Sequence, residues 1–282
     1  MQHPTSRAGS GPWLALPLLL YFVVFVLAPQ VVLLVMSVRG LDGALTTAHL
    51  AQVLRDPMTY EVLLSTLRLG LYTTVLTLLL GFCYALGMVY APPRLKAGLL
   101  LLVVLPLLVS GVVRTFGWMV ALGNQGPLNE LLLWAGLIEQ PMRILFTETA
   151  VVIGLTQIEL PMMVLALYTV LGRIDPSLLL ASRSLGQGHW QTLRRVLLPL
   201  SVPGVIAGCS LVFASAVGSY VAQTVLGGGS LLYMPMYIYQ KSILSQEWAA
   251  AAILALMLMV AVSGIIFAGN ALARKSKGYI YG

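Results

Sequence analysis

The sequence predicts an all-α integral membrane protein with six transmembrane helices and both termini in the cytoplasm. Of its 282 residues, 59% are hydrophobic and 9% are charged, against about 45–50% apolar and about 25% charged in soluble domains. Two further observations support this fold class: apolar runs long enough to cross a bilayer, and an uneven distribution of basic residues among the loops. Together they exclude an ordinary soluble enzyme and a disordered chain.

Six apolar segments reach the length of about 20 residues that a transmembrane helix needs. The first is too long for the apolar part of a signal peptide, which has about 7–15 residues, and Pro17 and Pro29 are expected to kink it. The membrane domain covers 13–273, between an N-terminal tail (1–12) and a C-terminal tail (274–282). The predicted spans are 13–37, 62–91, 97–123, 149–171, 202–227 and 249–273.

Basic residues fall mainly on one side of this arrangement. With the N-terminus inside, ten Lys and Arg lie on the cytoplasmic side and four outside, with Arg68 and Arg114 in spans. Cytoplasmic loops carry an excess of basic residues, so both termini are predicted to be cytoplasmic. The net charge of +7 is therefore an orientation signal, and no nucleic-acid partner is needed to explain it.

Several function classes lack the residues they need. The histidines His3, His49 and His189 lie outside the predicted spans, which disfavours an intramembrane Ser–His enzyme or a His-ligated metal site. No Gly-Lys dipeptide occurs, so there is no GxxxxGK[ST] phosphate-binding loop, and any nucleotide must bind to another chain. A secondary carrier driven by an ion gradient is the alternative, although no clear inverted repeat is visible.

The longest cytoplasmic connection, 172–201, has the pattern of two short helices. Asp175 is a good N-cap, and Pro176 suits the first helical position. Apolar residues then recur at helical spacing until Gly186, which is expected to end the first helix.

A second short helix is expected after the Gly-Gln-Gly segment. Trp190 lies on its apolar face, and Arg194 and Arg195 lie off that face. Pro199 and Pro203 are expected to delimit the entry to the fifth span. A helical elbow of this kind suits docking by a partner protein. The alternative is an amphipathic helix that lies on lipid with its arginines at the head groups.

Residues 180–199 resemble the EAA loop of permease subunits of binding-protein-dependent ABC importers. The family pattern is E-A-A, three residues, Gly, nine residues, then I-x-L-P. Ala181 matches the first Ala, Gly186 matches the Gly, and Val-Leu-Leu-Pro at 196–199 matches the end.

Two positions depart from the pattern, since Leu180 occupies the Glu position and Ser182 that of the second Ala. The salt bridge that the Glu would make to an ATPase therefore has no counterpart here, and the apolar face would carry more of that contact. The resemblance covers roughly 13–273. Within the family, the chain is similar to the spermidine/putrescine-type branch. The segments that carry it are 112–129, 174–186, 194–208 and 225–228.

The resemblance implies an ABC type I importer permease fold in which the helix at 176–186 is the coupling helix. It implies a heterodimer with a second related permease, two ATPase subunits that hold ATP and Mg, and a periplasmic binding protein. The chain itself would bind no cofactor or metal, would not be an enzyme, and would lie in the bacterial inner membrane. The residues assigned to ATPase coupling are Leu180, Ala181, Ser182, Arg183, Leu185, Gly186, Trp190, Leu198 and Pro199.

Charged residues inside spans are costly, so they are candidates for function. Arg114 lies toward the outer end of the third span, and Glu159 near the middle of the fourth, just before Pro161. Pro161 is expected to break that helix and let it line a cavity. The structural alternative is an ion pair of Glu159 with Arg114 or Arg68. The candidates for the solute path are Arg114, Trp118, Glu159, Ser219, Tyr220 and Gln223.

A polyamine is the expected solute. It is a polycation and needs carboxylates or aromatic faces, which Glu159, Trp118 and Tyr220 could offer, although aromatic residues in spans also serve packing. The segment 218–220 lacks the acidic residue that polyamine members often have after this Gly. Another small nitrogenous or anionic solute, with Arg114 as its partner, is the alternative.

Two outer segments, 125–143 and 229–248, remain. The sequence of the first segment predicts a short apolar helix bounded by Pro127 and Pro141. Both are expected to lie along the outer membrane face, as an outer gate, a binding-protein dock or an interfacial anchor. The GxxxG pattern at 204–208 is a weak signal for close contact between subunits.

Overall fold

The structure is a computed structural model that describes residues 11–38 and 48–278. Residues 1–10 and 279–282 of the two predicted tails therefore lie outside the described residues. The side chain of Arg183, one of the predicted coupling residues, lies outside the described part as well.

Every regular element in the described residues is helical. The α-helices are α1 (Gly11–Phe22), α2 (Ala28–Val38), α3 (Ala48–Arg55), α4 (Pro57–Tyr90), α5 (Pro93–Val104), α6 (Gly111–Ala121), α7 (Pro127–Trp134), α8 (Glu148–Leu171), α9 (Pro176–Ser184), α10 (His189–Thr192), α11 (Leu198–Gly218), α12 (Tyr220–Gly227), α13 (Met234–Tyr239) and α14 (Trp248–Gly278). Short 3-10 or π-helical segments join some of them: Val23–Leu27, Leu105–Leu108, Leu193–Leu197 and Gln240–Leu244.

Within the described ranges, five helical stretches are long and apolar enough to cross a membrane. They are Leu16–Val38, Pro57–Tyr90, Glu148–Leu171, His189–Gly218 and Trp248–Ala271.

A sixth span exists if α5, its 3-10 turn and α6 are counted together. Pro93–Leu108 and Gly111–Ala121 meet at 100°, so the straight helix expected over 97–123 is a bent pair. Pro106 lies in the 3-10 turn and has no N–H to donate. The extended backbone of Val109 (ψ 133°) and Ser110 (ψ 134°) then turns the chain.

The fifth predicted span differs from the structure at both ends. Its helix begins at His189 and runs unbroken through Pro199 and Pro203, so the expectation that these prolines delimit the span is wrong. The π-helical turn Leu193–Leu197 comes just before Pro199, and the Leu198 N–H donates to the carbonyl of Leu193 across it. The wider turn accommodates the proline, and neighbouring helices support the rest of the span.

The chain divides into two compact units. One comprises the residues up to Thr59 together with Ile238–Met257, and the other comprises Tyr60–Tyr237 together with the residues from Leu258 onward. In the first unit, Lys241 Nζ lies 2.9 Å from Glu247 Oε2. The predicted solute-path and coupling residues all belong to the second unit.

Close packing of α8 against α11 forms part of the core of the second unit. A Cβ on Gly208 would lie 2.6 Å from Met163 Sδ, and one on Gly204 would lie 3.1 Å from Val170 Cβ. Both glycines therefore allow α8 and α11 to approach within one chain. In this structure the GxxxG pattern serves a helix contact within the chain, whereas the sequence suggested a contact between subunits.

Candidate functional site

The helix α9 begins and ends as its sequence signals predict. Asp175 Oδ1 accepts a hydrogen bond of 2.8 Å from the Ser177 N–H, and hydrogen bonds from Ser177 hold the pKa of Asp175 below its ordinary value. At the other end Gly186 has φ +75°, and the Gln187 N–H donates to the Ser182 carbonyl at 3.2 Å. This closure is a Schellman motif, in which glycine takes the left-handed position.

The interior of the elbow is polar. Ser182 is 5% exposed; its Oγ donates to Gln187 Oε1 at 3.1 Å and lies 2.8 Å from Thr192 Oγ1. Ser182 thus ties α9 to α10. Sequence reasoning predicted Ser182 as a coupling residue and missed Gln187 and Thr192, because nothing in the pattern distinguishes them from solvated polar residues.

The exterior of the elbow is apolar. Leu180, Leu185 and Trp190 are 63%, 79% and 71% exposed, and we call these three residues the elbow surface. Trp190 is exposed, whereas Leu193 and Leu197, which lie further along the same helical stretch, pack against the core. Large exposed apolar side chains with polar neighbours are typical of an interaction surface.

The other predicted coupling residues connect this surface to a candidate span. Ala181 is exposed on α9, Leu198 is exposed at the start of α11, and Pro199 is half-buried. Helix α10, the π-helical turn and α11 form one continuous stretch, His189–Gly218. The second half of the elbow is therefore continuous with an apolar helix.

Two predicted path residues of α6 contact consecutive residues of α8. Arg114 Nη1 donates to the Ile158 carbonyl at 3.2 Å, and Trp118 Nε1 donates to Gln157 Oε1 at 3.0 Å. Arg114 and Trp118 are one helical turn apart, so they lie on the same face of α6. The contacts hold α6 against the middle of α8.

Glu159, the next residue of α8, bonds to a different helix. It is 4% exposed, and Ser215 Oγ of α11 donates to its Oε1 at 2.7 Å. Among the described residues Glu159 forms no ion pair with Arg114, and Arg68 pairs with Glu148 instead, Nη2 to Oε2, at 2.6 Å. The expected alternative of a structural ion pair at Glu159 is therefore not what the structure contains.

These contacts define the mid-span cluster, which consists of Arg114, Trp118, Gln157, Glu159 and Ser215. The expected break at Pro161 is absent, because α8 continues through it with Pro161 buried. Packed neighbours keep the helix continuous although Pro161 removes one of its hydrogen bonds.

A helix break lies instead at Ser219, between α11 and α12. Ser219 has ψ 82°, and both Ser219 and Tyr220 are half-buried. Gln223 is 1% exposed, and its Nε2 donates to the carbonyls of Ala216 and Val217 at 2.8 and 3.1 Å. Gln223 therefore satisfies carbonyls at the end of α11. Its Oε1 has no hydrogen-bond partner among the described residues.

The first outer segment contains a helix, but its end differs from the prediction. Helix α7 begins at Pro127 and stops at Trp134, well before Pro141. Asn129, 1% exposed, holds the following loop: its Nδ2 donates to the Gly123 and Met142 carbonyls, and its Oδ1 accepts from the Met142 N–H at 2.9 Å. No sequence pattern predicted these hydrogen bonds of Asn129.

The second outer segment is partly internal. Tyr233, Met234 and Tyr237 are all buried, so the expectation that they lie along the membrane face is wrong for them. The Met234 N–H donates to Thr66 Oγ1 of α4 at 2.8 Å. This bond attaches the start of α13 to the N-terminal half of α4.

Comparison with known proteins identifies the family of this chain. A family model for the inner membrane component of binding-protein-dependent transport systems matches residues 6–277. The chain belongs to this family. It is a multi-pass permease subunit of an ABC importer in a bacterial inner membrane, and a transport component rather than an enzyme.

The chain is similar to named relatives over most of its length. It is 35% identical over 246 residues to the spermidine/putrescine transport system permease protein PotB of Salmonella typhimurium strain SL1344, with 85% of each chain covered. It is 35% identical over 252 residues to PotB of Haemophilus influenzae, with 88% of each covered.

A solved structure shares the fold. It is a bacterial ABC transporter involved in the import of the acidic polysaccharide alginate, with a TM-score of 0.76 and 18% identity, covering 93% of this chain and 94% of that chain. At this identity the likeness concerns the fold alone. The predicted all-helical ABC permease fold is thus confirmed.

Proposed function

We propose that this chain is one of two different, related permease subunits of an ATP-driven importer, and that its solute is a polyamine delivered by a periplasmic binding protein. The observation that supports a polyamine as the solute is the similarity to PotB, at 35% identity over 85% of the chain. Six spans with both termini in the cytoplasm complete the proposal, with α5 and α6 together forming the third span.

The elbow acts as the coupling element in this proposal. Two ATPase subunits bind ATP and Mg, and the chain itself needs no cofactor. The elbow surface seats in a cleft of one ATPase, and apolar contact through Leu180 replaces the salt bridge that a Glu would make at this position. Closure of the ATPase dimer moves α9, and the continuous helix from His189 passes that movement to the path.

Gly186 is the hinge of this movement, because its left-handed backbone (φ +75°) is costly for other residues. Arg194 and Arg195 add positive charge beside the elbow. They pair either with acidic groups of the ATPase or with lipid phosphates. Replacing the two arginines weakens ATPase binding in the first case and leaves it unchanged in the second.

The mid-span cluster supplies the cation chemistry. Glu159 provides a carboxylate inside the helices, where a charged group carries function by default, and Trp118 provides an aromatic face for an ammonium group. Arg114 donates to the Ile158 carbonyl, so part of its hydrogen-bonding capacity is used within the protein. Tyr220 and Gln223 lie at the helix break that follows α11.

The solute is tested by identifying the ligand that the cognate binding protein retains, using mass spectrometry. A spermidine-like or putrescine-like ligand is expected, and an anionic or carbohydrate ligand would overturn the proposed solute while leaving the permease class intact. The heterodimer is tested by co-purification. A second permease of different sequence is expected, and recovery of only this chain with an ATPase contradicts it.

A further inference from the structure

An ion pair outside the mid-span cluster joins α4 to the beginning of α8. Arg68 donates to Glu148 through two nitrogens, Nε to Oε1 at 3.2 Å and Nη2 to Oε2 at 2.6 Å. Such a fork is the strongest geometry that a guanidinium and a carboxylate form. The pair is nevertheless accessible, since the two side chains are 52% and 27% exposed.

Two tyrosines accompany this pair. The Arg68 guanidinium lies 5.9 Å from the ring centroid of Tyr72, one turn further along α4. Tyr233 is 3% exposed; burial, and secondly the negative charge of Glu148, raise the pKa of Tyr233 to about 12. Tyr233 therefore stays a neutral phenol beside Glu148. The N–H of the next residue, Met234, donates to Thr66 Oγ1 of α4.

The exposed side of the pair does not suit lipid. Arg68 lies within the candidate span Pro57–Tyr90, where a charge facing hydrocarbon is expensive. The open side of Arg68 and Glu148 therefore faces water or a neighbouring subunit. In the proposed orientation this is the outer half of the protein, through which a solute released by the binding protein enters.

We propose that Glu148, Tyr72 and Tyr233 form an entry site for an ammonium group of the solute, and that Arg68 occupies this site until the solute arrives. The group consists of a carboxylate, an aromatic face and a neutral phenol. In the structure the Arg68 guanidinium already lies against the carboxylate and the aromatic face. This inference rests on the proposed cationic solute. It adds a second cation site to the one at Glu159.

The exchange is balanced in charge. An ammonium group replaces the guanidinium on Glu148, so the carboxylate is never left without a cation, and Arg68 moves into the aqueous space. Because the pair is open to solvent, which screens its charges, an arriving ammonium group can compete with Arg68 for Glu148.

The test compares Arg68→Gln with Glu148→Gln in the full importer, with spermidine as the probe. Equilibrium binding of radiolabelled spermidine to the solubilised complex is measured without the binding protein, and uptake into proteoliposomes is measured with it. If the site exchanges cations, the two variants act in opposite directions. Arg68→Gln removes the competitor and raises affinity about threefold or more, and Glu148→Gln removes the acceptor and lowers affinity about tenfold.

A purely structural ion pair gives a different result. Each variant would then break the same contact, and both would lower the melting temperature and the uptake in the same direction. That outcome overturns the entry site. Glu148→Asp keeps the charge and is expected to retain most of the affinity, which separates a lost carboxylate from a disturbed fold.

Failure of the inference is distinguishable from failure of the proposed function. If the wild-type importer takes up spermidine and both variants move its affinity in the same direction, only the entry site is wrong. If the wild-type importer takes up no spermidine but imports another solute, the proposed solute is wrong, and the entry site falls with it.

Discussion

The elbow and the mid-span cluster both reverse the usual placement of side chains. The elbow exposes Leu185 and Trp190 and buries Ser182. The mid-span cluster lies among apolar helices, yet it buries the carboxylate of Glu159 against Ser215. Exposed apolar area is stabilised when a partner covers it, whereas a buried charge is retained at a cost in stability. This difference matches the roles proposed above, a protein contact for the elbow and a charged solute for the mid-span cluster.

The two regions also differ in how they are connected. The elbow is held by contacts between residues close in sequence, and it continues into α11 as one helix. The mid-span cluster is held by side chains from α6, α8 and α11. Changes in the elbow should therefore affect coupling to ATP, and changes in the cluster should affect the solute.

The largest effect is expected for Gly186→Pro. Proline fixes φ near −65° and cannot adopt the φ of +75° at this position. A cost of about 3 kcal/mol corresponds to a loss of ATP-coupled uptake of about 100-fold. Uptake by the assembled importer measures it, and Gly188→Ala is the matched control, since Gly188 has φ −72°. Unchanged uptake in Gly186→Pro would remove the hinge from the account.

Glu159→Gln is expected to have the next largest effect. Removing a buried charge that binds a cationic solute costs about 2 kcal/mol, which is about 30-fold in uptake. ATPase binding should be unchanged, because the elbow is untouched. Ser215→Ala is the control: it removes the hydrogen bond but keeps the carboxylate, and a smaller loss is expected. Equal losses in both variants would assign Glu159 to packing of α8 against α11.

Leu185→Ser tests the elbow surface. Burial of a large apolar side chain contributes about 1.5–3 kcal/mol, so binding of the ATPase should weaken about tenfold or more. Quantitative co-purification of the ATPase checks this, with Gln191→Ala as an exposed polar control close to Trp190. Intact ATPase binding in Leu185→Ser would favour the alternative in which the elbow lies on lipid.

Ser182→Ala is expected to have the smallest effect. It removes the bonds to Gln187 and Thr192 and costs about 1 kcal/mol of local stability, which corresponds to about fivefold in coupled uptake. Hydrogen exchange across α9 and α10 should rise. Ser184→Ala serves as the control, because Ser184 is exposed. Unchanged protection from hydrogen exchange in both variants would show that the bonds from Ser182 to Gln187 and Thr192 do not hold the elbow.

The sequence predicted the elbow better than the mid-span cluster, and the reason is physical. The N-cap at Asp175 and the left-handed glycine at Gly186 are local signals, so they are readable from a short window. The cluster depends on pairs that are far apart in the chain, such as Trp118 with Gln157 and Ser215 with Glu159. Single residues were identified as candidates there, but their partners were not.

The prolines were the main source of error in the predicted helices. Pro161, Pro199 and Pro203 were expected to break or delimit helices, and all three lie inside continuous ones. The breaks occur at Val109 and Ser219 instead. In apolar surroundings the neighbouring helices and π-helical turns accommodate a proline, so the residue type alone does not place the break.

The central claim is that ATP hydrolysis by a partner drives a cationic solute through this permease. It is tested most directly by accumulation of radiolabelled spermidine in proteoliposomes that contain the full importer. The loaded binding protein is added outside the vesicles. We expect accumulation that requires ATP, this chain and the binding protein together. Accumulation driven by an ion gradient with the ATPase removed would contradict the account.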